Sequence, residues 1–570
     1  MSVDFDVLEE NMSAYGVNFS SNDNVLTAKI SLIAKQFNLY GEELEDEIMA
    51  FANNLKKTQV DKALLEAVEM KLQKRLDNDL KTQKIKRPVL AEKLQSSFKA
   101  EPPVVETDDF DVEDDKNGVM SDIYAQFAPV KSVPNTKYLS RLNKGTVASQ
   151  LKGSQFETKK NPSPTHSQVT VLSNAVSENY AGEKTANVID EICERMKQFA
   201  DLFRSNNPEI GNWSYTPVSD SEVYIYGVIV NDGDDTDSLH VNNAKIMLDD
   251  ENGSSYTLDF QHLPSVTIFP GQIVAYQGCF DDDKHTFLVK KDFPLPKLTT
   301  PDITKTEADY LTIWSACGPY TSPDTCGYEP LYDLLEAVRK NPPNVLVLMG
   351  PFVDRKSKYF TSPTAQASYS SVQEILMIRI AQLLDRIPTQ IIIQPSPMRE
   401  GAHINGFPSS PLTVPHEMVR ILGKKLHLVS DPAVVEVDGI KIAITGSEII
   451  AHLSKLETHR SADQENIDRI ARLSNHILGQ RSLYPLSPPT LATSIEDVLT
   501  VCKLTYAPHM IIAPSVLPSL FKNIDGVLVN NPGTYLRGST GTFSKVDINL
   551  AAAKGCNSIV DHSHGRIERV

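Results

Sequence analysis

The sequence predicts an α+β multidomain protein: a small N-terminal helical domain, a barrel of short strands and a C-terminal α/β sandwich. Three observations carry that prediction. Apolar residues recur at helical spacing over roughly the first 80 positions. About five short β-branched runs, separated by D-G, N-G and P-G pairs, crowd into residues 222–290. From Asp309 onward, strand-like runs alternate with amphipathic helical stretches.

At 570 residues the chain is too long for one domain. Its net charge of −17 disfavours non-specific binding to nucleic acid by the chain alone. The six cysteines are scattered without a CxxC pair, so neither a zinc module nor a disulfide framework is indicated. No segment has the apolar core of a signal peptide or approaches the length of a membrane span. A cytosolic or nuclear location, with no membrane partner, is the expectation.

Residues 1–80 read as three helices. Leu26, Ile30, Ile33 and Phe37 share one face behind a cap in Asn22–Asn24. Leu44, Ile48, Phe51 and Leu55 mark the second helix, and Leu64, Val68, Leu72 and Leu76 the third. These stripes serve either as a bundle core or as a docking face for a partner. Residues 81–183 read as a disordered acidic and polar tether. The basic cluster Lys81, Lys84, Lys86, Arg87 is followed by Glu101–Asp115, with eight acidic residues and no basic one. Ser163-Pro164 is a minimal phosphorylation site. Residues 184–212 carry a helix with Ile189, Ile192, Met196, Phe199 and Phe203 on one face, expected to pack on the C-terminal domain.

Strands are expected at 222–231, 244–248, 255–260, 272–280 and 285–290, closing into a barrel of the OB type over residues 213–297. A nucleic-acid-binding barrel wants aromatic side chains beside basic ones. Here the loops carry Asp232, Asp234, Asp235, Asp237 and Asp281, Asp282, Asp283. Tyr224, Tyr226 and Tyr276 serve either stacking or packing, and a protein-binding or structural barrel is the expectation.

Residues 298–570 form the sandwich, with strands expected near 310–314, 345–349, 391–394, 426–429, 434–438, 441–445, 509–513 and 526–530. Its helices are expected at 329–340, 371–386 and 465–479. Val345–Met349 ends in Gly350-Pro351-Phe352-Val353-Asp354-Arg355. A buried strand followed by such a loop resembles the G-D-x-x-D-R element of calcineurin-like phosphoesterases, with Pro351 where the first aspartate belongs. In that family, paired metals are held by loops at five strand ends. The first here reads Cys317-Gly318-Pro319, the third Gln394-Pro395-Ser396 and the fourth Gly446-Ser447-Glu448. The fifth reads Pro514-Ser515-Val516-Leu517, before the family's Asn531-Pro532-Gly533 turn. The resemblance therefore implies a phosphoesterase-like domain without its metal ligands: no catalytic, cofactor-binding or metal residues. His562 and His564 follow the turn instead of preceding it, and Cys317 has no identifiable activating histidine.

The barrel ahead of such a domain resembles the B-subunits of replicative DNA polymerases, on Ala316–Thr321, Gly350–Asp354, Gln480–Leu486 and Asn531–Gly533 with Gly541–Phe543. The N-terminal helices and tether fit the alpha branch of that family. The resemblance implies a non-catalytic, nuclear scaffold subunit of the polymerase alpha–primase complex. Its expected partners are the zinc-bearing C-terminal domain of the catalytic subunit, the primase subunits, and replication factors docking on residues 1–80. DNA is met mainly through the complex. The rivals are an active binuclear metallophosphoesterase with an OB targeting domain and an OB-type single-strand-binding protein.

Overall fold

Val345–Met349 is apolar throughout and buried throughout, because it lies mid-sheet with a layer packed on each face. The computed structural model around it describes residues 23–37, 123–130, 135–158, 167–174, 183–215, 221–231, 239–250, 253–281, 285–303, 308–362, 365, 367–461 and 468–570, with isolated positions before residue 70. The chain divides into two units, Met1–Asp111 and Val112–Val570.

In the first unit, α1 (Asn24–Phe37) begins where the Asp23 carboxylate accepts the Leu26 N–H at 3.3 Å, a cap inside the expected span. Ile30, Ile33, Leu64, Leu65 and Val68 are buried, and Lys29 pairs with Glu69. Leu44, Phe51, Leu55, Leu72 and Leu76 lie outside the described residues. So do Lys81–Arg87, the acidic run 101–115, Ser163 and Asp232–Asp237.

The second unit opens with α2 (Thr136–Leu139), β1 (Val147–Lys152), β2 (Val169–Asn174) and α3 (Thr185–Asn206). The barrel region holds β3 (Val223–Val230), β4 (Lys245–Leu248), β5 (Ser255–Asp259), β6 (Ser265–Ile268), β7 (Ile273–Asp281) and β8 (Thr286–Asp292). The sandwich strands are β9 (Tyr310–Cys317), β10 (Val345–Met349), β11 (Gln390–Gln394), β12 (Leu426–Leu428), β13 (Ala433–Val437), β14 (Ile440–Ile444), β15 (Thr458–Ser461), β16 (Met510–Ile512), β17 (Leu520–Ile524), β18 (Val527–Asn531), β19 (Thr542–Asn549) and β20 (Ser563–Arg569). Its main helices are α4 (Glu329–Lys340), α5 (Tyr369–Leu384), α6 (His416–Leu422), α7 (Ile449–Leu456), α8 (Arg469–Gly479) and α9 (Ile495–Val501).

Two sheets stack face to face. One runs β1-β20-β19-β9-β10-β11-β12, the other β17-β18-β16-β14-β13-β2. Ile313, Val345, Val347 and Ile392 of the first meet Val435, Ile442, Met510 and Leu528 of the second in one core. Leu346 and Leu348 point to the opposite face, against α4, α5 and α6, while α7, α8 and α9 cover the outside of the second sheet. The alternation of a strand explains both contacts: successive residues of β10 serve opposite layers.

The structure corrects the tether. Residues 123–130 and 135–158 contain a strap and β1, and β2 lies at 169–174. β1 pairs antiparallel with β20, and β2 with β13, so this stretch supplies an edge strand to each sheet. Edge strands bury one face only, which is why V-A-S-Q-L-K carries too few apolar residues to announce itself. The strap is held at Asp333 of α4. Its carboxylate accepts from Tyr124 Oη (2.8 Å), Tyr138 Oη (2.9 Å), Arg141 Nη2 (2.9 Å) and Lys144 Nζ (2.8 Å).

β3-β4-β5-β8-β7 close into a barrel, through antiparallel pairs and one parallel pair, β5 with β8. Ile225, Ile246, Leu258, Phe287 and Val289 fill it. Tyr226 and Tyr276 are buried, and Tyr224 packs on Phe293 at 6.0 Å between ring centroids, so packing is the role of all three. α3 packs on both neighbours: it lies against α9 of the sandwich, and its apolar face (Met196, Phe199, Ala200, Phe203) also packs on Tyr226, Ile273 and Ala275 of the barrel, a contact the sequence did not announce. Its other flank reaches the sandwich by Arg195 Nη2 to Gln480 O at 2.8 Å and by Lys503 Nζ to Gln198 at 2.9 Å.

Barrel and sandwich are joined by backbone. β6, which sequence periodicity missed, pairs antiparallel with β15. The Gln480 amide accepts the Ile273 N–H at 2.9 Å and donates to its carbonyl at 3.0 Å, and Ser487 N donates to Pro270 O at 3.1 Å. Gly271 (φ 89°) must be glycine there, since a Cβ would sit 2.4 Å from Ser487 N.

Candidate functional site

Parallel strands end together, so the loops after β9, β10, β11, β14 and β16 meet along one rim, the usual place for a site. What converges there is a set of internal ties. Cys317 donates its thiol proton to Gly350 O at 3.3 Å, and burial pushes the thiol well above its ordinary pKa, which disfavours the thiolate at neutral pH. After β10, the N–H groups of Phe352 (3.0 Å) and Val353 (2.9 Å) donate to the carboxylate of Glu400, which is fully buried. Burial raises Glu400 to a pKa of about 7 despite those donors.

Asp354, the aspartate that the sequence singled out after β10, is committed elsewhere. It pairs with Arg399 Nη2, and its Oδ1 also accepts from Arg399 Nε (3.4 Å) and from Lys356 N (3.0 Å). Arg355 joins the same loop through its backbone N–H, which donates to Arg399 O at 2.9 Å. Gln394 at the end of β11 donates to Ser430 O (2.8 Å) and Ile444 O (3.1 Å). After β14, Gly446 N donates to buried Asp431 at 2.9 Å, and burial raises that carboxyl to about 7. Glu448 accepts the Val516 N–H at 3.0 Å. Asn531 accepts from Ser515 N (2.8 Å) and Gly533 N (2.9 Å), which fixes the Asn-Pro-Gly turn under the fifth loop.

Among the described residues, Asp354, Glu400, Asp431 and Glu448 on this rim each accept from protein donors, with Asp431 Oδ1 left buried and unpartnered. Among the described residues, no three His, Cys, Asp or Glu side chains are grouped to hold a metal. His562 is buried with Nε2 3.8 Å from Cys556 Sγ, whereas His564 stacks on Phe156 with centroids 5.5 Å apart. The two do not share a ligand position. Glu400, Arg399 and Asp431 were not singled out from the sequence, because nothing in a lone Asp or Glu tells whether its loop folds inward.

Comparison with known proteins identifies the family. A family model describing the B-subunits of DNA polymerases alpha and epsilon matches residues 313–522, from β9 into β17. The chain is 32% identical to the DNA polymerase alpha B-subunit of Caenorhabditis elegans, over 97% of each chain. It is 28% identical to the Mus musculus protein of that name over 54% of this chain and 52% of that one, and 22% identical to the Saccharomyces cerevisiae one over 58% and 54%. Among solved structures, one described as a novel archaeal phosphodiesterase matches at 14% identity and a TM-score of 0.22, covering 41% of this chain and 92% of that one. By its end-to-end similarity to the nematode protein, this chain belongs to the DNA polymerase alpha B-subunit family.

Proposed function

We propose that the protein is a non-catalytic accessory member of the DNA polymerase alpha–primase complex. In this reading it acts in the nucleus, binds the C-terminal domain of the catalytic subunit and supports primer synthesis at the start of replication. The observation that carries the reading is the 97% mutual coverage with a DNA polymerase alpha B-subunit. The parallel β5–β8 closure supports taking residues 213–297 as an OB fold, and the engagement of Asp354 by Arg399 supports an inactive phosphoesterase-like domain at 298–570. Residues 1–80 then serve as the docking module for other replication factors.

Co-expression with the catalytic subunit's C-terminal domain, followed by size-exclusion chromatography, tests the assignment. The full chain and a chain lacking residues 1–80 are expected to co-elute with it, and one lacking 213–297 is not. The reverse pattern would overturn the division of roles. The enzymatic rival predicts metal-dependent hydrolysis of an aryl phosphodiester with added Mn²⁺, Zn²⁺ or Fe²⁺. The expected result is none, and turnover abolished by Asp354→Asn would establish the rival instead.

A further inference from the structure

We infer that the seam between α3 and α9 is a docking site for a partner peptide that sets a carboxylate beside a bulky apolar side chain. The surface is separate from the assignment above and stands or falls on its own residues. Two features meet there.

The first is cationic. A cleft of about 400 Å³ is lined by Arg195, Gln198, Leu202, Arg481, Leu499 and Lys503. Arg195 makes one hydrogen bond, to Gln480 O, and Arg481 one side-chain bond, Nη2 to Pro296 O at 3.1 Å. The Nε of Arg481 is buried with no partner. Among the described residues, no carboxylate pairs with either guanidinium. Arg195 and Arg481 are both partly exposed, and burial brings Arg195 down to a pKa of about 10. Two half-buried guanidinium groups with open donors and no carboxylate on one cleft offer a place for an anion. Glu191 and Glu194 line the same cleft, but Glu194 accepts from Gln198 Nε2 at 3.1 Å, and neither acid reaches Arg195.

The second is apolar. On the other side of Arg195 a groove of about 320 Å³ runs between α3, the barrel and the Pro485–Pro489 turn, lined by Ile192, Val228, Met247, Tyr484, Leu486 and Leu499. Arg195 and Leu499 border both spaces. One extended peptide can therefore seat an aliphatic or aromatic side chain in the groove and an Asp or Glu on the guanidinium groups. Glu191 and Glu194 on the rim disfavour the run of successive phosphates of a nucleic-acid strand more than one carboxylate seated at the guanidinium groups. A single carboxylate is matched by the planar fork of an arginine.

The test uses the full chain and a displayed library of random 12-residue peptides. Enriched sequences are synthesised with a fluorophore and their binding followed by anisotropy. Peptides carrying Asp or Glu within four positions of a bulky apolar residue are expected. Changing that acid to its amide should weaken binding at least tenfold, and Arg195→Gln in the protein should do the same without adding to the peptide change. The peptide change leaves the protein untouched, so a folding defect in the variant cannot mimic it. Ile192→Glu tests the groove independently and should also cost at least tenfold. Enrichment of no peptide, or of peptides indifferent to the acid or to Arg195→Gln, overturns the inference. Binding of a dT oligomer that Arg195→Gln weakens would overturn it as well, assigning the cleft to nucleic acid.

Discussion

Replacing Asp333 by Ala removes the one carboxylate that receives four donors from the strap, two tyrosine hydroxyls, a guanidinium and an ammonium. The magnitude follows from which donors are dry. Lys144 has a side chain 60% exposed and contributes at most about 1 kcal/mol. Arg141 is 6% exposed and Asp333 9%, so their pairing is buried, and deleting one member of a buried pair costs about 3–5 kcal/mol. Arg141 keeps the carbonyls of Val570 (2.9 Å) and Tyr138 (2.7 Å), which pulls the cost toward the lower end. The two hydroxyls, with Tyr138 fully buried, bring it back. The expected loss is about 3–4 kcal/mol by denaturant titration, with faster amide exchange across 135–152. Asp333→Asn, which keeps an acceptor, should lose about half as much. A cycle with Arg141→Met should show coupling of about 1–3 kcal/mol. A loss under about 1 kcal/mol, or simple additivity in the cycle, would refute the claim that the strap is part of the folded unit. The partners hold Asp333 below its ordinary pKa, so its contribution is present above about pH 4 and fades as pH falls further.

Asp431, raised from 3.8 to about 7, favours its protonated form in the folded state, so it contributes stability at low pH that is lost as pH rises from about 4 to 7. Asp431→Asn should therefore match the parent near pH 4 and exceed it by on the order of 1–3 kcal/mol at pH 8, in melts across that range; a gap that narrows with pH would contradict the sign. Glu457 has the opposite behaviour. Two bonds at 2.8 Å from Arg472 and one at 2.7 Å from His476 hold its pKa to about 2, so Glu457→Gln should cost about 2–4 kcal/mol at pH 7 and flatten the acid limb of the stability curve between pH 4.5 and 2. Gln480→Ala should expose the Ile273 backbone pair and cost about 1–3 kcal/mol, with increased exchange confined to α3, β6 and β7; unchanged exchange there would show that the other ties, β6–β15 and Ser487–Pro270 among them, hold the barrel without Gln480.

The sequence was most legible where a segment's own run or periodicity of apolar residues marks what it buries. α4 and β10 fall at the expected residues, since each carries enough apolar side chains to mark its type. The barrel strands lie within two residues of expectation for the same reason. Legibility failed where burial depends on something distant in sequence. β1, β2, β19 and β20 extend or edge the sheets, and β20 reads S-H-G-R-I-E-R with alternate residues buried only because β1 and β19 flank it. The stripe of α3 fits any apolar surface, so the sequence did not reveal that its face also meets Tyr226, Ile273 and Ala275 of the barrel.

The rim shows the same limit and adds a consequence for function. The sequence did not tell what holds the five loops in place. Backbone N–H groups at such turns need acceptors, and a buried donor left without one costs about 1–3 kcal/mol. Glu400 answers for Phe352 and Val353, Asp431 for Gly446, Glu448 for Val516 and Asn531 for Ser515 and Gly533. A cation placed on this rim would compete with those donors for the carboxylate oxygens, except at Asp431 Oδ1, which is buried without a partner. The carboxylates at this rim hold its loops, so Pro351→Asp by itself is not expected to create a metal site, which the metal content of the purified variant would show.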